Sequence, residues 1–473
     1  MSVAVALRPA SATIPIPAQV VGYGLFLFFL CMLCHGELVG LRPGRRRLTL
    51  FYLLIATGGG LGGAFVSLVA PFCFSGVWEL YIAVLVAWLV VAVAWYLNRN
   101  SPLWAGDPLF FALAVALAAP IAVPLLIVAT PLRRTSWVVH HPWTAVFVGG
   151  AALALGAYLL GRRWGAARIS FWPRAVFVVM IGLAANVLFR RMGEARADTV
   201  YAGRNFYGLV RVIAVKDQLS GEVGAYKLVH GLTNHGIQFT DPASRDLPTT
   251  YYAPSSGVGV AARYLESPSS PVSGPLHLGV LGLGVGTLAT YARPGERVRF
   301  YEIDPIVIAL AGRDSPYFSF LRDCAGAVDV VAGDARLSLE REAAREPGTY
   351  DLLALDAFSG DGIPVHLLTV EAFRLYASRL RGPHPILAVH ITNAYLDLEP
   401  VVAADAQALG WAAIRIDTAG ADSPLPESSS WILLTPDPML FQAAAFQGEG
   451  SRPLRARKIV FTDQYTNLFR VLR

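Results

Sequence analysis

The stretch Leu276–Asp304, LHLGVLGLGVGTLATYARPGERVRFYEID, constrains the chain more than any other. Its apolar opening, Leu276–Leu281, is short enough for a buried strand. Gly282-Leu283-Gly284-Val285-Gly286 follows, then a helix-compatible segment at Thr287–Ala292. A second strand, Val298–Tyr301, ends in Glu302-Ile303-Asp304. Glycines allow a tight turn and a close approach of backbone to ligand, and a carboxylate at the second strand end can hold both ribose hydroxyls. The unit predicts a nucleoside-containing cofactor held at Gly282, Gly284, Gly286 and Glu302.

The pattern continues downstream. A third strand, Val328–Val331, runs into Gly333-Asp334-Ala335, and a fourth, Tyr350–Leu355, runs into Asp356. Further strands are expected at Ile386–His390, Ala413–Ile416 and Trp431–Leu434. Helical patterns at Pro305–Ala311, Arg336–Arg345, Val370–Arg381 and Pro400–Leu409 separate several of them. Alternating strands and helices predict a doubly wound α/β sheet, whose ligands sit beyond the carboxyl ends of the strands. Gly282–Gly286, Glu302, Asp334 and Asp356 share that edge. After the fourth strand comes Asp356-Ala357-Phe358-Ser359-Gly360-Asp361. Two carboxylates there can bind a cationic amine and take its proton, making it a nucleophile; loop capping is the alternative for Asp361.

Upstream of the sheet, Phe206–Val215 and Ala225–Val229 read as strands joined by a turn at Asp217–Gly224. The next segment, His230-Gly231-Leu232-Thr233-Asn234-His235-Gly236-Ile237-Gln238, reads as turns, because glycines flank both histidines. No third ligand is nearby, so no metal is expected. Tyr251 and Tyr252 follow, and Ser255–Gly259 can open a helix reaching Tyr264.

The first 190 residues are of another kind. Six apolar stretches, at about 19–39, 50–70, 78–97, 108–130, 144–161 and 172–189, approach spanning length. This part holds 13 Arg, no Lys and only Glu37, Glu79 and Asp107, a net charge of +10, while the remainder carries −4. The basic balance therefore belongs to membrane loops and argues against a nucleic-acid binder. The Gly58–Gly63 cluster, GGGLGG, predicts close packing of another helix on the second span. His35, Glu37 and Glu79 sit near span boundaries, where interfacial water can solvate them. The four cysteines, Cys31, Cys34, Cys73 and Cys324, give no readable disulfide framework. Arginine counts in the loops slightly favour an outer location for the polar half. A nucleoside cofactor made in the cytosol argues for a cytoplasmic one, and that is the expectation adopted.

Taken together, the glycine turn, Glu302-Ile303-Asp304, Gly333-Asp334-Ala335 and Tyr350-Asp351-x4-Asp356 resemble the spermidine synthase family of polyamine aminopropyltransferases. The resemblance covers about Arg204–Leu434. The whole chain is more similar still to membrane-fused spermidine synthase-like proteins. The marks are HGEL at His35–Leu38, the glycine cluster, HGxTxHGxQ at His230–Gln238, DAFSGDxIPVHLLT at Asp356–Thr369 and the tail segment Thr462–Asn467.

The resemblance implies a small β domain ahead of a Rossmann-like methyltransferase-type domain. It implies transfer of an aminopropyl group from decarboxylated S-adenosylmethionine to an amine. Glu302 would hold the ribose, Asp334 with Ala335 the adenine, and Asp356 would accept the proton, with Gln238 and Tyr251 or Tyr252 on the substrate side. Three places depart from the family pattern: Val285 stands where an Asp meets the donor's amine, Ser359 stands where the second catalytic-loop Asp falls, and the Tyr-His-Glu run after Tyr252 is absent. An S-adenosylmethionine-dependent methyltransferase, or a non-catalytic membrane transporter or sensor binding a polyamine or nucleoside, are the alternatives. The expected organisation is a multi-span membrane domain at 1–190, a small β-rich domain at 200–265, the S-adenosyl-binding domain at 272–440 and a tail at 441–473. The expected partners are a small-molecule amine and the lipid bilayer, with homo-oligomerisation left open.

Overall fold

The computed structural model describes residues 16–98, 142–163, 198–217, 221–231, 233–345, 348–358, 364–419 and 427–473, with isolated positions at 101–115, 178–186 and 362. The chain divides into two compact units, Met1–Ala197 and Asp198–Arg473.

In the first unit the apolar runs are helical: α1 (Ile16–Gly40), α2 (Leu48–Ala64), α3 (Trp78–Leu97) and α4 (Pro142–Arg163). Three helical stretches among the described residues are long and apolar enough to cross a bilayer: Val20–Gly40, Arg45–Cys73 and Trp78–Leu97. Six spans are therefore not what the described residues give. The expected fifth stretch falls on α4, and those at 108–130 and 172–189 lie mostly outside the described residues. Side chains such as Phe28, Phe29, Leu54 and Val86 are exposed, as on a helix whose surroundings are hydrocarbon. Glu37 is not simply solvated at a boundary: its Oε1 accepts a 2.9 Å hydrogen bond from Trp95 Nε1, joining α1 to α3. Among the described residues nothing lies against Gly58–Gly63, and the apolar stretches at 108–130 and 172–189 that could pack there lie mostly outside them.

The second unit opens with an antiparallel meander, β1 (Thr199–Asn205), β2 (Gly208–Lys216), β3 (Val223–His230) and β4 (Thr233–Phe239). Here the expectation of turns across His230–Gln238 fails. Gly231, at φ +63°, turns the chain, and Thr233–Phe239 pairs with β3. Gly236 sits inside the strand at φ +128°, where a glycine marks close approach of another group. That group is the Val285 side chain.

The remaining strands are β5 (His277–Leu281), β6 (Arg297–Glu302), β7 (Ala327–Ala332), β8 (Leu352–Leu355), β9 (Ile386–His390), β10 (Ala412–Thr418), β11 (Ser429–Thr435) and β12 (Ser451–Pro453). They form one sheet in the order β12-β10-β11-β9-β8-β5-β6-β7. β5 to β9 pair in parallel, and β11 runs antiparallel between β9 and β10. This mixed order is the Rossmann-like methyltransferase-type sheet.

Alternation along the central strands builds two cores. Leu278, Val280, Leu352, Ala354, Ile386, Ala388, Trp431 and Leu433 face one side, together with α5 (Gly257–Leu265), α6 (Pro305–Ala311) and Val210, Val212 and Leu228 of the meander. Leu353, Leu355, Leu387, Val389, Ile432 and Leu434 face the other, under α7 (Ala335–Ala343), α8 (Val370–Arg379) and α9 (Glu399–Leu409). Burial on both faces is what a mainly parallel sheet requires. The helix expected at Thr287–Ala292 is a single 3₁₀ turn, Thr287–Tyr291. Pro294 drives the preceding residue out of the helical region and leaves too few residues for an α-helix.

The tail is tied down by charge. Arg336, at the start of α7, makes a two-pronged ion pair with Asp463 at 2.7 and 2.6 Å, and Thr369 donates to the same carboxylate at 2.8 Å. These bonds hold the Asp463 carboxyl down at about 2.

Asp405 in α9 is fully buried, and neither carboxylate oxygen has a hydrogen-bond partner among the described residues. Burial, and then the Glu371 charge, push its pKa up to about 8. The folded protein therefore keeps a proton that the unfolded chain releases near pH 4. Stability is full below that pH and is lost as pH rises through 8. Asp405→Asn, uncharged throughout, should gain stability over the native chain by a few kcal/mol at pH 8, at roughly 1.4 kcal/mol per pKa unit. Thermal unfolding at pH 5, 6.5 and 8 measures this, and a gap that does not widen with pH would refute it.

Candidate active site

The chain order reverses between β5 and β8, and the crevice at such a point lies beyond the strand ends. The glycine turn leaves β5 there. Gly282, at φ +100°, lies so close to β8 that any Cβ would strike the Asp356 carbonyl oxygen. Only glycine meets both demands. At the end of β6, Glu302 Oε2 accepts the Leu283 amide and Oε1 the Asp304 amide, each at 2.9 Å. Burial raises the Glu302 pKa, and these amides pull it back down. After β7, Asp334 Oδ1 caps α7 through the Leu337 amide at 2.9 Å, and Oδ2 meets His366 Nε2 at 3.0 Å.

A cavity of ≈ 240 Å³ lies over these strand ends, walled by Gly282, Gly284, Glu302, Asp334, Ala335 and Asp356 among others. A second cavity, of ≈ 420 Å³, is lined by Lys227, Asn234, Tyr251, His390, Asn393 and Glu427 among others. Asp356, His235 and Phe358 border both.

Asp356 closes β8 and is 8% exposed. Its Oδ2 accepts a short hydrogen bond from the Tyr252 hydroxyl, and its Oδ1 meets His390 Nδ1 at 2.6 Å. His390 Nε2 lies 2.8 Å from Thr392 Oγ1, which also accepts the Ser430 amide at 2.8 Å. An imidazole protonated at Nδ1 satisfies the chain: it donates to Asp356 and accepts from Thr392. The ring is stacked between Tyr251, 4.8 Å away and tilted 15°, and Trp431, 4.6 Å away and tilted 17°. Trp431 Nε1 donates to the Tyr251 carbonyl at 3.2 Å, and the Tyr291 hydroxyl to that of Tyr252 at 2.6 Å. Burial, and then the Asp356 charge, hold the Tyr252 hydroxyl well above its ordinary pKa, so it stays a neutral donor.

The expected site residues divide as follows. Gly282, Gly284, Glu302, Asp334 and Ala335 line the first cavity, Tyr251 lines the second, and Tyr252 holds Asp356 from behind. Gly286 does not reach either cavity and lies against Leu321. Gln238 is not there either. Its amide donates to the Arg245 carbonyl and Ser319 Oγ, both at 3.0 Å, and accepts the Ser319 amide at 2.7 Å, so its polar atoms serve to join β4 to the segment before Phe320–Asp323. Asp361 and Ser359 lie outside the described residues. Val285, where the resemblance calls for an Asp, is fully buried against Gly236.

His235, His390, Lys227, Glu427 and His366 were not singled out from the sequence as site residues. His235 Nε2 is shielded from solvent and has no hydrogen-bond partner among the described residues. Burial lowers its pKa to about 4, with Asp356 raising it and His230 and His390 lowering it further. Among the described residues no group of three or more His, Cys, Asp or Glu could hold a metal ion.

No family model matches the chain. A stretch of 100 residues, 20% of the chain, is 36% identical to the polyamine aminopropyltransferase of Vibrio vulnificus (strain CMCP6) and spans 31% of that protein. The chain thus covers about a third of the length of this curated relative. Among solved structures, a probable spermidine synthase from Corynebacterium glutamicum is 18% identical, with 50% of this chain and 79% of that one covered and a TM-score of 0.37. The spermidine synthase of Thermotoga maritima is 11% identical, covering 56% and 81%, with a TM-score of 0.32. Aeropyrum pernix fibrillarin with natively bound S-adenosyl-L-methionine is 15% identical, covering 50% and 100%, with a TM-score of 0.27. In its C-terminal part the chain is similar to a polyamine aminopropyltransferase.

His235 also sets a pH dependence. The unfolded chain binds a proton at this histidine near pH 6.5, and the folded chain binds it only at about 4. Its contribution is present above pH 6.5 and is lost as pH falls toward 4. His235→Asn should therefore lose less stability than the native chain between pH 7 and pH 5. Equal losses in chemical denaturation at the two pH values would show a solvated imidazole instead.

Proposed function

We propose that the chain is a membrane-anchored aminopropyltransferase. It would bind decarboxylated S-adenosylmethionine in the first cavity and an amine in the second. The observation that supports this most is the meeting of the two cavities at one carboxylate, Asp356. In this reading Glu302 accepts the ribose hydroxyls, Gly282 and Gly284 let the backbone approach the donor, and Asp334 with Ala335 borders the adenine. The polar unit would lie in the cytosol, where the donor is made.

An alkylammonium has a pKa of about 10.4 and no lone pair to attack with. Asp356, accepting from Tyr252 and His390 on its inner side, draws the ammonium to the junction and takes its proton. The nitrogen lone pair then forms a bond to the propyl carbon next to the sulfonium. The carbon–sulfur bond breaks, its electrons stay on sulfur, and methylthioadenosine leaves uncharged. Asp356 also offsets the positive charge shared by donor and acceptor as the bond forms. His390 keeps the carboxylate oriented, and its ring is fixed between two aromatic faces.

A second reading, methyl transfer from S-adenosylmethionine, is favoured by Val285. Its apolar side chain, packed on Gly236, offers no carboxylate to a donor's amine. The product separates the two: methylthioadenosine for aminopropyl transfer, S-adenosylhomocysteine for methyl transfer.

The full chain in detergent, given the decarboxylated donor and a panel of amines, should release methylthioadenosine. Asp356→Asn keeps the shape and removes the basicity, and should lower turnover by roughly 10²–10⁴-fold while methylthioadenosine still binds. Undiminished turnover in that variant would dispose of the mechanism. Glu302→Ala should weaken methylthioadenosine binding by roughly 1.5–3 kcal/mol, the range for hydrogen bonds to a charged group, and calorimetry that finds no loss would remove Glu302 from the site.

A further inference from the structure

The second cavity carries charges of both signs. Lys227, from the middle of β3, lines it, and so does Glu427, just ahead of β11. Glu427 is held in place: the Gly236 amide donates to Asn234 Oδ1 at 3.1 Å, and Asn234 Nδ2 donates to Glu427 Oε2 at 2.8 Å. The other oxygen, Oε1, makes no hydrogen bond among the described residues. Lys227 has no carboxylate partner among the described residues. Asp356, Thr392 and Asn393 are among the other polar residues that line it.

A plain diamine fits this lining poorly. One ammonium can go to Asp356 and the other to Glu427, but nothing on such a molecule answers Lys227, and two like charges in a confined cavity repel. An acceptor with one acidic group answers all three. We infer that the second cavity takes a small diamino acid, whose side-chain amine meets Asp356, whose α-ammonium meets Glu427 and whose carboxylate meets Lys227. The inference rests on the proposed aminopropyl transfer for the identity of the reacting amine. The transfer itself is unchanged: the side-chain nitrogen forms the new bond to carbon, its proton goes to Asp356, and methylthioadenosine leaves. The product is then a diamino acid extended by an aminopropyl group, and only a decarboxylation would turn it into a simple polyamine.

Ornithine and putrescine make the test, since they differ only by the carboxylate. Each is titrated by calorimetry into the full chain in detergent, with methylthioadenosine already bound. Ornithine is expected to bind at least about tenfold more tightly, an increment of about 1.4 kcal/mol. Lys227→Ala should abolish or invert that preference, and Lys227→Arg should restore most of it. Equal or tighter binding of putrescine by the native chain, or a preference that survives Lys227→Ala, would overturn the inference and leave the proposed transfer standing. Failure of methylthioadenosine itself to bind would remove the proposed transfer, and this inference with it.

Discussion

A carboxylate that is nearly out of water is costly unless hydrogen-bond donors meet its oxygens. Asp356 meets that constraint with one tyrosine hydroxyl and one imidazole, and much of the surrounding structure exists to place those two groups. Tyr252 comes from the segment between the meander and α5. His390 comes from the end of β9, and Trp431 from the neighbouring antiparallel strand completes its stack. The antiparallel insertion of β11 is thus more than a topological detail. It brings an indole alongside the imidazole that meets Asp356.

The first cavity has a different logic. It is made from backbone and small residues, with the carboxylate of Glu302 fixed by two amides of its own neighbourhood. Such a site depends on strand register and on glycine, both local in sequence. The second cavity is built from side chains of β3, β4, β9 and the approach to β11, and therefore depends on how the meander lies against the large sheet. Gly236 couples the two halves. It accommodates Val285 of the glycine turn, and its amide steadies the Asn234 that orients Glu427.

This difference explains what could be read in advance. The strands and most helices of the large sheet follow from short apolar runs and the residues that cap them, and Ile386–His390 and Pro305–Ala311 are found with the expected bounds. Glu302 and Asp356, which border the first cavity, stand at strand ends, and a strand-end acid is a local signal. His235, His390, Lys227 and Glu427 carry no such signal, since they are brought together by pairing between distant strands. His235 in particular looked like part of a glycine-flanked turn, whereas the strand pairing of Thr233–Phe239 overrides that local reading. Gln238 was legible as a polar residue in a suggestive place, but only the three hydrogen bonds of its amide show that its work is to join segments. Three of the expected apolar stretches are found as helices long and apolar enough to span, and those at 108–130 and 172–189 fall mostly outside the described residues.

The contacts around Asp356 close very long loops. Tyr252 and Asp356 are 104 residues apart, Tyr251 and Trp431 are 180, and Arg336 and Asp463 are 127. Each closure costs chain entropy before any contact repays it, so topologies dominated by such pairs fold slowly. Both cavities take walls from the meander as well as from the large sheet, Leu228 and His235 in the first and Lys227 and Asn234 in the second. A fully paired sheet alone therefore encloses neither of them.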